Sequence, residues 1–328
     1  MVVSAPALLV ALVSATLAPW VGASTAARDY LDRMSHSFRE LDYRGVFTYQ
    51  YGSQLESLRI SHAVRDGVER ERLVYLNGEP REIIRDGHQV SCSHAGNDML
   101  RLGGQLAQGP FARSLLQRDD ISDHYLLALG ARTRVADRSA VELLVRPVDE
   151  YRDGFYLYLD ADTALLLKSL TVSPSGQVLE RFQFAEIEIG ANIDDSELQS
   201  AQGPTRHPEH FVIEQTGVDS GAQVELPRPQ WLPPGFALSA RSVRQDDPQA
   251  PRLVMYSDGF STMTLVLEAL EAGIDLPVDG KASRGATVAY MRSINHDDRP
   301  YLLTVVGEVP LETARRVARS VMIQREPT

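Results

Sequence analysis

The sequence predicts an α+β protein of two unequal domains, each built on an antiparallel sheet with a packed helix. Its 328 residues are enough for about two domains, at roughly 150 residues each. The composition, 43% apolar and 23% charged, is typical of a globular chain. Short segments of alternating apolar residues, separated by turn dipeptides, indicate that most of the chain is antiparallel sheet.

Residues 1–23 are predicted to form a signal peptide that is removed on export. No ionisable side chain occurs before Arg28, and the leader contains an apolar run of about 17 residues, which is short for a membrane span. Val21 and Ala23 fit the −3 and −1 positions of a cleavage site, so Ser24 would begin the mature chain. A retained membrane anchor is the alternative. No later segment is apolar enough to span a membrane, so we expect a soluble mature chain.

The N-terminal domain is predicted to span residues 24–195. Residues 26–41 indicate an amphipathic helix, because their apolar residues recur near a period of 3.6. Residues 45–93 indicate an antiparallel meander with tight hairpin turns, for which Asp-Gly and Asn-Gly supply the positive φ angles. The turns of this meander are predicted at Asp66-Gly67, Asn77-Gly78 and Asp86-Gly87.

After a polar, glycine-rich stretch, residues 111–118 predict a short helix over the sheet, and the strands then resume. They are predicted at 125–129, 140–146, 155–159, 165–172 and 178–189. The total of roughly nine or ten strands is too many for a small flat sheet. We therefore expect a strongly curved sheet or half-barrel that wraps around a helix.

Residues 196–230 are predicted to be a linker, because prolines are scattered among polar residues with little periodicity. The C-terminal domain is then predicted to span 231–323. Its strands are predicted at 237–243, 252–257, 262–269, 286–292 and 301–306. Pro310 is expected to open the final helix at the first-turn position that proline favours. The expected result is a smaller antiparallel sheet with a packed helix, whose buried stripe ends at Val321.

Charge and motif content exclude several classes of function. The formal net charge of −11 argues against a general nucleic-acid binder, which needs a broad basic face. The one cysteine, Cys92, rules out an intrachain disulfide and a four-thiolate zinc site. Neither a nucleophile elbow nor a phosphate-binding glycine loop is present, so no catalytic residue and no cofactor is predicted.

Two polar clusters are interpreted as structural. Residues 207–210 contain two histidines and a glutamate, but Arg206 would oppose a bound cation, so no metal site is predicted. Asp119 and Asp120 are adjacent, and neighbouring carboxylates point in different directions on most backbones. A helix start is therefore favoured over an acid–base pair at this position.

Aromatic residues are concentrated on the predicted strands. Phe47, Tyr49 and Tyr51 share one side of a strand, because strand side chains alternate. If alternate aromatics face the concave side of a half-barrel, they line an apolar cavity suited to an acyl chain or a hydrophobic peptide. The alternative is a conventional core, since aromatics favour strands in any case.

Several short segments, which follow one another along both predicted domains, together match a known pattern. They are residues 55–63, 78–87 and 132–138, Trp231-Leu232-Pro233-Pro234-Gly235-Phe236, Tyr256-Ser257-Asp258-Gly259, and residues 304–310 and 313–318. Taken together, these segments resemble the periplasmic sigma-E regulatory family RseB/MucB. The resemblance implies that the large domain is similar to the lipoprotein carriers LolA and LolB, a half-barrel over helices, and that the protein is not an enzyme.

The resemblance also implies partners and a compartment. Proteins of this family bind, in the periplasm, the periplasmic region of a membrane-spanning anti-sigma factor of the RseA or MucA type, and they shield it from the site-1 protease. Lipopolysaccharide or another acylated lipid then releases the shield, and proteolysis frees the sigma factor. Whether the chain forms a homo-oligomer is left open.

Candidate binding residues follow from the implied function. The aromatic side chains expected to contact acyl chains are Phe47, Tyr49, Tyr51 and Tyr75. Arg70 and Arg72 share one side of their strand, with Glu69 and Glu71 on the other, and are candidates for lipid phosphates. The anti-sigma factor is expected on the C-terminal sheet and the interdomain cleft. The candidate contacts there are Trp231, Phe236, Tyr256 and Arg315.

The alternative function is a periplasmic lipid or lipoprotein carrier of the LolA type. Such a carrier is a single domain, so the additional domain at 231–323 argues against it. A periplasmic hydrolase would need a nucleophile with a base in reach, and the sequence offers no motif for one.

Overall fold

The computed structural model describes residues 23–87, 89–94, 123–200, 225–242, 250–270 and 279–325. Within these ranges the chain forms a ten-stranded sheet, a six-stranded sheet and a two-stranded ribbon. Two α-helices and one short 3₁₀-helix, Asp195–Leu198, complete the described secondary structure. The expected helix at 111–118, the cluster at 207–210 and the pair Asp119 and Asp120 lie outside the described residues.

The ten-stranded sheet is the framework of the N-terminal domain. Its strands are β1 (Tyr43–Tyr51), β2 (Gln54–Arg65), β3 (Val68–Tyr75), β4 (Arg81–Asp86), β5 (Gln89–His94), β6 (Tyr125–Val135), β7 (Arg138–Pro147), β8 (Gly154–Asp160), β9 (Leu166–Val172) and β10 (Val178–Ile189). Their order is β5-β4-β3-β2-β1-β10-β9-β8-β7-β6. Two meanders are therefore joined where β1 pairs with β10, Tyr43 lying opposite Ile189. The open, half-barrel-like antiparallel sheet confirms the predicted fold class.

Helix α1 (Ala23–Glu40) packs against this sheet, mainly on β6 and β2. Ala27, Leu31 and Met34 are buried in the same core as the sheet side chains. Their spacing of three or four residues places them on one face, which is the pattern that predicted a helix at 26–41. Among the described residues, no helix is both long enough and apolar enough to cross a membrane.

The first two predicted turns differ in outcome. At Asp66-Gly67 both φ angles are positive, +53° and +76°, as the predicted tight turn requires. At Asn77-Gly78 only the glycine has a positive φ, so the predicted turn type is wrong. The Asn77 side chain instead accepts a hydrogen bond from Ser57 N at 2.9 Å, which stabilises a longer loop.

The third turn is displaced from its predicted position. Asp86 still pairs with Gln89 in the sheet, so the loop begins only at Gly87. A further tight turn joins β6 to β7 at Ala136 and Asp137, with φ angles of +48° and +63°. Non-glycine residues seldom adopt positive φ, and for that reason the sequence did not indicate this turn.

The C-terminal domain is a smaller sheet with one packed helix, as predicted. Its strands are β11 (Glu225–Pro229), β12 (Ala237–Ser242), β13 (Arg252–Ser257), β14 (Thr262–Ala269), β15 (Asp279–Arg284), β16 (Thr287–His296), β17 (Arg299–Glu308) and β18 (Val321–Arg325). The sheet order is β12-β13-β14-β17-β16-β15, and β11 pairs with β18 in a separate ribbon. Helix α2 (Leu311–Ser320) buries Ala314, Val317 and Ala318 against β16 and β17.

Some details of this domain differ from expectation. Strand β11 lies inside the segment 196–230 that was expected to be a linker, and its two prolines are tolerated because it pairs in a two-stranded ribbon rather than inside a sheet. Strand β15 was not predicted, since it is a polar edge strand without apolar alternation. Pro310 is the residue that caps α2 rather than part of its first turn. Val321 leaves the helix and begins β18.

Gly45 marks a close approach between β1 and β10. A Cβ at this position would collide with Glu186 O and lie 2.9 Å from Phe184 Cε1. We expect Gly45→Ala to lower the free energy of unfolding by about 1–3 kcal/mol in chemical denaturation, as overpacking does. Gly130→Ala is the matched control, because the nearest atom to its Cβ would be a Glu142 carboxylate oxygen, at the end of a flexible side chain that can move away. Equal losses in the two variants would contradict this explanation.

Candidate ligand site and interdomain junction

Phe47 lies in the core of the N-terminal domain. It is 8% exposed, and its ring centroid is 4.9 Å from that of Phe182 and 5.7 Å from that of Phe184, both on β10. Phe47 is therefore part of a conventional hydrophobic core, which was the alternative to a ligand cavity. An acyl chain would reach this ring only by displacing its aromatic neighbours.

Tyr49 and Tyr51 lie on one face of β1, with ring centroids 5.5 Å apart. The Tyr51 hydroxyl donates to Glu56 at 3.1 Å and accepts a hydrogen bond from the guanidinium of Arg284. That guanidinium also lies 4.3 Å from the centroid of the Tyr51 ring. Because Arg284 ends β15, this face of β1 meets the C-terminal domain.

Tyr75 belongs to the same polar edge of the junction. The guanidinium of Arg81 lies 3.9 Å from the centroid of the Tyr75 ring, and Arg81 Nη2 is 3.5 Å from Glu56 Oε1. Arg284 Nη2 is 3.4 Å from the same carboxylate oxygen. The structure thus places Tyr51 and Tyr75 beside Glu56, with a cation from each domain, and Tyr49 next to Tyr51.

Arg70 and Arg72 are paired with acidic residues inside the sheet. Arg70 Nε is 3.2 Å from Asp86 Oδ1. Arg72 donates two hydrogen bonds to Glu82 Oε2, at 3.1 Å and 2.9 Å. A lipid phosphate would have to compete with these carboxylates, and with Glu82 in particular, because that pair is mostly buried.

A buried ion pair joins the two domains. Arg152, just before β8, and Asp258, in the turn between β13 and β14, are 2.7 Å apart, and both side chains are 0% exposed. The hydroxyl of Tyr125 donates to the same carboxylate oxygen at 2.9 Å. Arg152 also donates to Pro234 O and to Asp149. Burial raises the pKa of Asp258, although Arg152 and the hydrogen bonds oppose that shift.

Phe260 inserts from the same C-terminal turn into the N-terminal core. Its ring centroid is 4.9 Å from that of Tyr125 and 5.6 Å from that of Phe155. Asp258 Oδ1 accepts hydrogen bonds from the backbone N–H groups of Phe260 and Ser261, at 2.9 Å and 2.8 Å, which fixes the turn. We call the set Tyr125, Arg152, Asp258 and Phe260 the interdomain lock.

Trp231 forms a second, more exposed contact across the junction. Its ring centroid is 5.2 Å from that of Tyr151, edge to face. The guanidinium of Arg316, on α2, lies 3.8 Å from the Trp231 ring and donates to the Tyr151 hydroxyl at 3.1 Å. Thr313 Oγ1 donates to Tyr151 O at 3.0 Å. A tryptophan beside an arginine is the residue composition typical of binding hot spots.

The other predicted partner contacts have different surroundings. Phe236 and Tyr256 are buried in the C-terminal core, so they would contact a partner only after the domain rearranged. Arg315 is partly exposed and pairs with Glu312 one turn earlier on α2. Trp231 and Arg315 are therefore the two predicted contacts that remain partly exposed.

One group of potential metal ligands comes together within the described ranges. The ligand atoms of Glu225, His296 and Asp297 all lie within 4.8 Å of one another. However, the hydroxyl of Tyr301 donates to Glu225 at 2.9 Å, and Arg252 Nη1 lies 3.6 Å from the same carboxylate. An adjacent guanidinium opposes a metal cation. We therefore interpret Glu225 as a hydrogen-bonding and ion-pairing group rather than as a metal ligand.

The residues of the interdomain lock were not among the predicted site residues. Arg152 and Asp258 are 106 residues apart in the chain, and neither lies in a chemical motif. The one signal was the segment Tyr256-Ser257-Asp258-Gly259, which contributed to the family resemblance without a role of its own. In the structure, the φ of +102° at Gly259 forms the turn that places Asp258 and Phe260 in the N-terminal domain.

Comparison with known proteins gives matches over both domains. The MucB/RseB N-terminal domain family matches residues 26–202, and the MucB/RseB C-terminal domain family matches residues 225–322. The chain is 35% identical over 299 residues to the sigma factor AlgU regulatory protein MucB of Pseudomonas aeruginosa, covering 90% of each chain. It is 26% identical over 307 residues to the sigma-E factor regulatory protein RseB of Escherichia coli K12, covering 91% of each.

Solved structures give the same result. The structure of MucB in complex with MucA(peri) superposes with a TM-score of 0.69 at 33% identity, over 91% of this chain and 99% of that one. The MucA/MucB complex of Pseudomonas aeruginosa superposes with a TM-score of 0.71 at 32% identity, with the same coverage.

Proposed function

The chain belongs to the MucB/RseB family, and we propose that it is a periplasmic regulator that binds the periplasmic region of an anti-sigma factor. The proposal rests on its similarity, over both domains, to MucB solved together with MucA(peri). On this account the bound protein shields the anti-sigma factor from site-1 proteolysis and so keeps the sigma factor inactive. Its role is to bind rather than to catalyse.

The proposed signal is an acylated lipid, with lipopolysaccharide as the first candidate. Tyr49, Tyr51 and Tyr75 supply the aromatic surface, and Arg81 stands beside Tyr75 as a cation for a phosphate group that displaces Glu56 from it. Arg284 belongs to the C-terminal domain, so a lipid that takes its place on Tyr51 disturbs the junction. Lipid binding and a closed junction are then mutually exclusive. Release of a partner requires such a ligand, one that binds the open junction more tightly than the closed one.

The energy needed for such a release is small. A tenfold loss of partner affinity corresponds to about 1.4 kcal/mol. Burial of about two methylene groups of an acyl chain supplies that amount, at about 0.8 kcal/mol each. A single acyl chain on the tyrosine face is therefore sufficient to shift the partner equilibrium.

A protection assay tests this function. The periplasmic region of the cognate anti-sigma factor is incubated with its site-1 protease, alone and with the purified protein. At a protein concentration of about ten times the Kd, mass action predicts about tenfold slower cleavage. A lipopolysaccharide fragment added at saturation should restore the rate. Cleavage at the same rate with and without the protein would contradict the shielding function, whereas protection that lipid leaves unchanged would contradict only the lipid signal.

Trp231 provides the most direct test of the partner surface. We expect Trp231→Ala to weaken binding of the anti-sigma region by about 30-fold or more, since central tryptophans often contribute 2 kcal/mol or more. Arg44→Ala is the control, because Arg44 is not a candidate partner contact and its exposed ion pair with Glu188 is worth about 1 kcal/mol or less. Binding is measured by calorimetric titration, with thermal unfolding of each variant in parallel. Unchanged affinity in Trp231→Ala would remove Trp231 from the partner surface.

A further inference from the structure

Asp153 is buried at the domain junction without compensation. Its side chain follows Arg152 and precedes β8, it is 1% exposed, and within the described residues neither carboxylate oxygen has a hydrogen-bond partner. The adjacent Arg152 is directed to Asp149 and Asp258 instead. An ionised carboxylate in this position would be costly, because burial without a partner strongly disfavours charge.

Two further carboxyl groups complete the cluster, one from each domain. Glu180, on β10, accepts a hydrogen bond from Ala286 N in the β15–β16 turn at 2.8 Å. It approaches Gly285 so closely that a Cβ there would overlap its carboxylate. Glu308, at the end of β17, interacts electrostatically with both Glu180 and Asp153. Three carboxyl groups thus converge where the C-terminal sheet meets β8 and β10.

We propose that Asp153, Glu180 and Glu308 form a proton-operated joint, in which bound protons hold the two domains together and loss of those protons favours their separation. The inference concerns the junction itself and does not depend on any particular partner. It also differs in kind from the lock at Arg152, where a cation already balances the buried carboxylate.

The charged surroundings of the cluster support this role. Burial raises the pKa of Glu180, whereas a hydrogen bond donated by the Tyr49 hydroxyl, on β1, and the charge of Arg284, on β15, oppose that shift. No cation acts in this way on Asp153 or on Glu308 among the described residues. Burial, followed by the charge on Glu180, raises the pKa of Asp153 to about 7. Burial and the other two carboxylates raise the pKa of Glu308 to about 8.

The direction of the pH dependence follows from these shifts. Separated domains would return each carboxyl group to an ordinary pKa near 4, so the closed junction binds more protons than the open one. Closure is therefore fully supported at acidic pH and loses support as the pH rises towards 7–8, above which no further change is expected. Because the groups interact, the protons belong to the cluster rather than to one residue. Glu308 retains partial exposure, so Asp153 is expected to dominate.

Denaturation with a native reporter tests the joint. In protein prepared from residue 24 onward, Trp231 is the only tryptophan, and its contact with Tyr151 spans the junction. The opening constant, which is the ratio of protein with separated domains to protein with a closed junction, is measured by urea titration of Trp231 emission between pH 5.5 and pH 7.5. A single carboxyl group shifted from about 4 to about 7 increases this constant by about 20-fold over that range.

The variants make the test specific. Asp153→Asn keeps the shape of the side chain but cannot ionise. The contribution of about 20-fold that Asp153 makes to the rise of the opening constant over this pH range should therefore be absent in this variant. Glu186→Gln removes an exposed carboxylate from β10 and should leave the pH profile unchanged. If Asp153→Asn does not fold, Glu308→Gln carries the same expectation with a smaller effect. Parallel pH profiles for all variants and the unmodified protein would overturn the proposal.

Discussion

Replacing Arg152 by methionine is expected to lower the free energy of unfolding by about 3–5 kcal/mol, because removal of one partner leaves a buried charge uncompensated. Asp258 would remain at a position that is 0% exposed, with the Tyr125 hydroxyl and two backbone N–H groups as its remaining donors. Urea denaturation measures the loss. Arg44→Met is the matched control, since the Arg44–Glu188 pair is exposed and should contribute about 1 kcal/mol or less.

The double variant Arg152→Met with Asp258→Asn separates charge from packing. If the loss in the single variant comes from the uncompensated carboxylate, removal of that charge should recover part of it, with a coupling of about 0.5–3 kcal/mol. An Arg152→Met variant that unfolds within about 1 kcal/mol of the unmodified protein, as an exposed pair would, would show that the ion pair does not join the domains.

Phe260→Ala is the second large effect that we expect. The ring belongs to a C-terminal turn but fills space between Tyr125 and Phe155 in the N-terminal core. Its loss leaves a cavity and should lower the free energy of unfolding by about 3–5 kcal/mol. Because the contact joins two cores, we expect differential scanning calorimetry to resolve two transitions for Phe260→Ala and one for the unmodified protein. Phe260→Met nearly conserves volume and should cost less than about 1.5 kcal/mol. One undivided transition in Phe260→Ala would contradict the coupling of the domains through this ring.

Most strands could be predicted because their side chains alternate between core and solvent. Strand β10, at Val178–Ile189, and strand β14, at Thr262–Ala269, coincide with the predicted ranges for this reason. Strand β15 has the sequence Asp279–Arg284 with no buried residue, so it offered no apolar pattern to detect. The turn at Asp297 and Asp298 lies between the predicted strands 286–292 and 301–306, as expected, and its two aspartates adopt the positive φ that aspartate tolerates better than most residues.

The sequence predicted the types of residue in the candidate site but not their tertiary partners. The alternation that placed Tyr49 beside Tyr51 on one strand face was sufficient to predict an aromatic surface. It could not predict that Arg284, more than two hundred residues later in the chain, covers that surface. In the same way, Asp86 and Glu82 become the neutralising partners of Arg70 and Arg72 only when β3 pairs with β4. Tertiary pairing, rather than local pattern, determines which of these charges are available to a ligand.

Calorimetric titration of the anti-sigma factor's periplasmic region into the purified protein is the decisive test of the proposed regulator. We expect saturable binding that weakens when a lipopolysaccharide fragment is present, since under the proposed function lipid and partner favour different states of the junction. Saturable binding that the fragment leaves unchanged would keep the regulator and remove the lipid signal. Absence of any binding heat, with the protein shown to be folded by its thermal transition, would contradict the proposed regulator and favour a lipid carrier.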